Sequence, residues 1–375
     1  MMRLGFYRLT EPLSTGEWMV LGDVTIDIGT IKCLVTLAVD LNMLNERGNY
    51  TLSAKDLVIV GIHPTESSDG NFVYQAFQEA VERLGGIDAV KGIVTDQASE
   101  MKKGGSLLKE GNAKIKLLYD IPHKLSLVLE KQLKKDVKWI AYSQQLTTTK
   151  RLVQQTELAA LQPPNQRGKG RFMNIGLYIK WPKKIFKAKA EGNLDEISEE
   201  RYQKYFGWLS DYQEFLQEKG QMFGIVEILN DTIRKNGLSL DVYNHLLDTF
   251  KLMPLEDNVR AFVGICMNTV YEEVAKLDDE QTVPISTEIL ESTFGSYKYH
   301  SAKGGQGITG NSLTIALLVG NKLTHGEICQ ALETTSVSKM MHWVGERIGN
   351  TLSKARDRFF PKVKRTGFAG DFAAA

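Results

Sequence analysis

The chain has 375 residues, 42% apolar, 24% charged and 9% aromatic, enough for one large core or two ordinary ones, which excludes disorder, collagen and coiled coils. Forty-six Lys and Arg against 45 Asp and Glu leave a formal charge of +1, so the total excludes no partner and charge placement has to be read instead. Three widely spaced cysteines, Cys33, Cys266 and Cys329, offer no disulfide or zinc framework and fit a reducing compartment. No apolar run approaches the roughly 18 residues of a membrane span and no apolar signal segment follows Met1, so a cytoplasmic protein with no membrane partner is expected.

From about Glu17 to Pro64 the pattern predicts a meander of three strands, in DVTIDIGT, IKCLVTLAVDLNML and LVIVGIHPT, the last after a polar NERGNYTLSAKD connection. NFVYQAFQEAVERLGG then spaces Phe72, Val73, Ala76, Phe77, Ala80, Val81 and Leu84 as one face of a helix, stopped by Gly85-Gly86. VKGIVTDQ and KIKLLYDI read as strands with a short Gly-containing helix or loop between them, and PHKLSLVLEKQLKK as a helix opened by Pro122. The order β-β-β-α-β-α-β-α predicts an α/β fold with a mixed five-stranded sheet flanked by helices, the order of the ribonuclease-H-like fold.

Beyond Trp139 strand signals largely stop. Lys150 to Lys189 holds ten basic residues and one acidic, Glu157, whereas Glu191 to Glu280 holds 19 acidic and 8 basic. The neutral total hides a polarised chain. The acidic stretch predicts a solvated helical insertion with Tyr202, Phe206, Leu209, Tyr212, Phe215 and Leu216 as its core stripe. After Pro284, ISTEILESTFGSYKYH predicts a helix capped by Ser286 or Thr287, followed by a Gly-rich loop, KGGQGITG, an apolar segment, NSLTIALLVG, and a basic end. The expected organisation is a core over residues 1–140, a basic connector and helical insertion over 141–283, a late helix completing the core over 284–345 and a basic tail over 346–375.

Two-metal phosphodiester chemistry needs carboxylates, because Mg²⁺ is a hard cation that prefers oxygen ligands. Asp23 opens the first strand, Asp96 ends GIVTD and Glu291 sits in the late helix. If the two strands are parallel neighbours, their acids share one end of the sheet. Asp27 lies on the same strand face as Asp23 by the period of two, and Glu288 lies one helical turn from Glu291, so each is a local rival.

In order and context, DVTIDIGTIKCLVTLAVDL, LVIVGIHPTESSDGNF, GIVTDQASEMKKG, YDIPHKL and EILESTFGSYK resemble the catalytic region of bacterial insertion-sequence transposases of the DDE type, a likeness running from about Leu4 to Leu323. The resemblance implies a ribonuclease-H-like core in which Asp23, Asp96 and Glu291 bind two Mg²⁺ or Mn²⁺ ions per active site and cut and join double-stranded DNA at element ends and target. It also implies a helical insertion before the last acid, a homodimer on paired ends and a nucleoid-associated location. Related transposases carry a Lys seven residues after the Glu that contacts DNA phosphate; Lys298 follows Glu291 by seven, whereas Glu288 has Gly295 there. The Tyr and Arg that precede the Glu in some of these families are replaced by Pro284 and Thr287, so the full signature is absent.

Asp120 and His123 form a D-x-x-H pair like those of several transposase families, with helix capping by Asp120 as the structural alternative. Arg167, Lys169, Arg171, Lys180, Lys183, Lys184, Lys187 and Lys189, interleaved with Phe172, Tyr178, Trp181 and Phe186, are the candidate DNA-tracking face; the alternative is a solvated surface. Lys354, Arg356, Arg358, Lys362, Lys364 and Arg365 form a second basic candidate. The start at MMRLGFYRL leaves no room for an N-terminal helix-turn-helix, which raises the alternative of a truncated, transposase-derived DNA-binding protein. DIGTIKCLVTLAVD also resembles the phosphate hairpin of sugar kinases and actin-like ATPases, with Asp27 at the metal, but KGGQGITG lacks the Asp of their second hairpin.

Overall fold

The computed structural model describes residues 1–26, 31–96, 98–166, 171–194, 197–301, 308–348 and 359. Asp27, Arg167, Lys169, the KGGQG part of the Gly-rich loop and the basic residues of the C-terminal candidate lie outside them, as does the side chain of Arg171. In chain order the elements are α1 (Met2–Thr10), β1 (Trp18–Ile26), β2 (Lys32–Asp40), α2 (Leu41–Arg47), β3 (Leu57–Thr65), α3 (Gly70–Arg83), β4 (Val90–Thr95), α4 (Ser99–Gly111) and β5 (Lys116–Tyr119). Helices follow: α5 (Ile121–Lys135), α6 (Val137–Val153), α7 (Arg171–Ala190), α8 (Glu199–Phe206), α9 (Gln213–Asn236), α10 (Leu240–Leu252), α11 (Asp257–Val274), α12 (Glu288–Ser301), α13 (His325–Thr334) and α14 (Val337–Ile348).

The five strands form one mixed sheet of order β3-β2-β1-β4-β5. β1 pairs antiparallel with β2 and parallel with β4, and β2 pairs antiparallel with β3. The expected α/β architecture with a mixed five-stranded sheet is therefore present. Three expectations change. The first strand runs Trp18–Ile26, starting five residues before DVTIDIGT, so Asp23 stands toward its carboxyl end rather than opening it. The second strand stops at Asp40, and LNML, expected as its end, instead opens a helix, α2, followed by Gly48 at φ +63. Of the short helix or loop expected between β4 and β5, the helix is present and is longer, 13 residues, α4, despite Gly104 and Gly105.

The chain divides into two compact units. One comprises Met1–Asn42, Leu52–Leu117 and the chain from Thr287 onward; the other comprises Met43–Thr51 and Leu118–Ser286. In the first unit, α3 and α4 lie on one sheet face, where Val73, Ala76, Phe77 and Ala80 of α3 and Met101 and Leu108 of α4 pack on Trp18, Val20, Leu34 and Ile93. Burying each of the large side chains contributes about 1.5–3 kcal/mol. The second unit is helical: Tyr142 is fully buried among the rings of Trp139, Trp208 and Tyr212, and its hydroxyl donates to the Tyr178 carbonyl at 2.7 Å. The expected stripe is found there, but the helix breaks into a 3-10 segment at Gly207–Tyr212 between α8 and α9, with Tyr202, Phe206, Leu209 and Leu216 buried. No described helix is long and apolar enough to cross a membrane.

Candidate active site

The register of β1 against β4 decides where the first two acids stand. An irregularity after Trp18 resets the pairing so that Met19, Val20 and Leu21 stand beside Gly92, Ile93 and Val94. Continued two residues along, the same register sets Asp23 level with Asp96, which lies one residue past the end of β4. Neighbouring strands are about 4.8 Å apart, and residues of equal parity share a face. Val20 and Ile93 face α3 and α4, so strand parity puts Asp23 on the opposite face of β1, and the extended register would bring Asp96 beside it just past the carboxyl end of β4.

Both carboxylates are half-buried and tied to the backbone. Asp23 accepts from the Val24 N–H at 2.7 Å. Asp96 accepts from the Ala98 N–H at 3.0 Å, a turn that leads from β4 into α4. Each bond fixes one carboxylate oxygen and the direction of the side chain.

Glu291 belongs to the same compact unit, on α12, which packs against β1. The buried stripe of α12 is Leu290, Thr293, Phe294 and Tyr297, while Glu288 and Glu291 are exposed. At about 100° per residue, Glu291 and the half-buried Lys298 lie about 110° and 90° from the middle of that stripe, and Glu288 about 170°. Glu291 and Lys298 thus line one border of the packed face, and Glu288 points away from it. The helix begins one residue after Thr287.

Among the described residues, no group of three or more His, Cys, Asp and Glu side chains is gathered closely enough to hold a metal ion. The donor chemistry of the aspartate pair fits a hard divalent cation. Two carboxylates level on adjacent strands repel each other unless positive charge lies between them, and oxygen ligands are what Mg²⁺ takes. Glu291 is on the packed helix but not within such a group.

Asp120 and His123 belong to the second unit. Asp120 is buried and caps α5, accepting the His123 N–H at 2.8 Å, so its carboxylate has the structural role named as the alternative. The His123 side chain is exposed, its ring 6.0 Å from that of Tyr119. The same corner holds a residue the sequence did not single out. Glu273 of α11, 2% exposed, accepts the Tyr119 N–H at 2.9 Å and the ammonium groups of Lys276 at 2.6 Å and Lys124 at 3.3 Å. It anchors the end of β5 from which Asp120 follows.

The basic stretch is partly neutralised inside its own unit. Lys180 pairs with Glu227 at 3.0 Å, Lys187 with Glu191 at 3.6 Å and Lys189 with Glu199 at 2.7 Å. Lys183 and Lys184 are exposed on α7. The interleaved aromatics correct an expectation: Tyr178 and Trp181 are buried, and the Trp181 indole N–H donates to the Leu161 carbonyl at 3.0 Å, so both are core residues. No protein-family model and no curated protein sequence matches the chain.

Proposed function

We propose that the protein is a DNA transposase of the DDE type with a ribonuclease-H-like core, cutting DNA strands at the ends of a mobile element and joining them to target DNA. The observation that carries this reading is the parallel pairing of β1 with β4 up to Leu21 beside Val94, from which Asp23 and Asp96 each follow two residues later, with Glu291 on a helix packed against β1. The mixed five-stranded sheet of order β3-β2-β1-β4-β5, flanked by helices, is compatible with such a core and supports it.

Divalent Mg²⁺ or Mn²⁺, two ions per site when bound, would supply Lewis-acid charge at the scissile phosphate and make water or a 3′-hydroxyl a competent nucleophile. Asp23 and Asp96 would be metal ligands, held in direction by the Val24 and Ala98 amides. Glu291 would complete the set, and Lys298 on the same helical border would hold a DNA phosphate. Lys183 and Lys184 would track the DNA backbone, since phosphate contacts supply most of the sequence-independent affinity. Duplex element ends and target DNA are the partners, engaged by a homodimer.

One observation favours a second reading, a transposase-derived protein that binds DNA without completing the chemistry: the three acids are not gathered into one group. Nicking and joining assays with Mg²⁺ or Mn²⁺ on DNA carrying the element's flanking ends separate the two. Products lost in Asp23→Asn, Asp96→Asn and Glu291→Gln, with folding retained, are expected for the transposase. DNA binding without products is the outcome for the second reading.

A further inference from the structure

On the α3 side of the sheet, at the edge strand β3, the first unit contains a cleft of about 170 Å³ lined by His63, Arg83, Glu79, Arg347, Trp343 and Gly61, among others. At a water's share of roughly 30 Å³, it has room for about five waters or one small polyatomic ion, and none for a duplex. His63 is 3% exposed, whereas the Glu79 and Arg347 side chains are 45% and 38% exposed. His63 is therefore the floor and the Glu79–Arg347 pair the mouth.

The hydrogen bonds fix which polar capacity is left over. Arg347 grips both oxygens of Glu79, at 2.9 and 3.1 Å, and this uses the nearest acceptor. Its other terminal nitrogen lies 3.4 Å from His63 Nδ1. The Glu79 carboxylate stands 3.7 Å from Nδ1, beyond hydrogen-bond reach, and a guanidinium can only donate, so Nδ1 is the acceptor. Burial pushes the His63 pKa down to about 4, so the ring is neutral at pH 7 and its single proton sits on Nε2. That Nε2 is buried without a partner, and so is the Nε–H of Arg83, whose Nη2 donates to the carbonyls of Arg8 at 3.1 Å and Glu11 at 3.3 Å. Gly61 makes room for the imidazole itself, because a Cβ there would stand 2.1 Å from His63 Nε2 and 2.5 Å from the buried Thr36 hydroxyl, which also has no hydrogen-bond partner.

We propose that this cleft is a binding site for a small oxyanion, a phosphate or the phosphate group of a small phosphoester, whose oxygens accept from His63 Nε2–H and Arg83 Nε–H while Trp343 forms an apolar wall. The leftover groups on the His63 and Arg83 side chains are donors, and two guanidinium groups exclude a cation. Buried donors left unmade are costly, and an anionic acceptor satisfies them with charge-assisted bonds. The site is independent of the carboxylates proposed for catalysis, of which Asp23 lies on the other sheet face.

The test is titration of inorganic phosphate, and separately of adenosine monophosphate, into the full chain at neutral pH without divalent metal, read by calorimetry and by the imidazole nitrogen resonances of the ¹⁵N-histidine-labelled protein. The expected result is one saturable site, a shift of the His63 Nε2 resonance, and binding weakened about tenfold or more in a folded His63→Phe variant. Tighter binding of the monophosphate assigns a phosphoester, and tighter binding of phosphate assigns the free ion. An unmoved His63 resonance, or undiminished affinity in folded His63→Phe, overturns the proposal; if that variant does not fold, the resonance alone decides.

Discussion

His63 gives the fold a pH dependence whose sign follows from its burial. Its pKa is held near 4 in the folded protein, against about 6.5 in the unfolded chain. Between those values the unfolded state binds the extra proton. Stability is therefore complete above about pH 6.5, falls as pH drops toward 4, and loses about 3 kcal/mol through this group. Denaturant unfolding of wild type and His63→Phe from pH 7 to pH 4 checks this: the wild-type midpoint should fall more steeply, and parallel curves would contradict it. Glu273 is a second single-residue prediction. Glu273→Gln removes a buried carboxylate that holds the Tyr119 amide, Lys276 and Lys124, and should cost about 3 kcal/mol in chemical denaturation. The candidate acids and Glu273 differ in how far the sequence reveals them. Asp96 stands out because the end of its strand can be read locally, whereas Asp23 reads as opening a strand that it nearly ends, since WMVLG carries no polar alternation to mark the true start. Glu273 sits in a Glu-Glu pair on a helix, a pattern that reads as solvated, and its burial depends on a partner 154 positions away.

At the scale of elements, the crossing of α3 and α4 shows why the sequence leaves the second helix open as a short helix or a loop. A Gly-Gly pair reads as a loop, since glycine costs a helix about 1 kcal/mol relative to alanine. In α4 the absent side chain is the packing feature: a Cβ on Gly104 would lie 2.6 Å from Val73 Cβ and 2.8 Å from the Tyr74 amide nitrogen. Gly104→Ala should therefore destabilise the protein by about 1–3 kcal/mol, against its better helix propensity. A raised melting temperature in that variant would show that α3 and α4 are free to move apart. The strands and α3 were legible because each carries its own period. The bounds of α2 and α4 were not, because their stability comes from tertiary contacts rather than from propensity.

At the scale of the whole molecule, the polarised charge seen in sequence is partly spent within the second unit, where α7 lysines meet carboxylates of the acidic stretch. Under the proposed function the exposed Lys183 and Lys184 carry more of the DNA contact than Lys180. Lys183→Glu with Lys184→Glu should lower the slope of log affinity against log salt by about 2, whereas Lys180→Glu leaves it nearly unchanged. The most direct test of the central claim is Mg²⁺- or Mn²⁺-dependent nicking and joining of DNA bearing the element's flanking ends, with wild type beside Asp96→Asn. Metal-dependent products from wild type that disappear in a folded Asp96→Asn chain are predicted. Products of equal yield from both, or none from a folded wild type that binds the DNA, would contradict the assignment of Asp23 and Asp96 to a catalytic metal site.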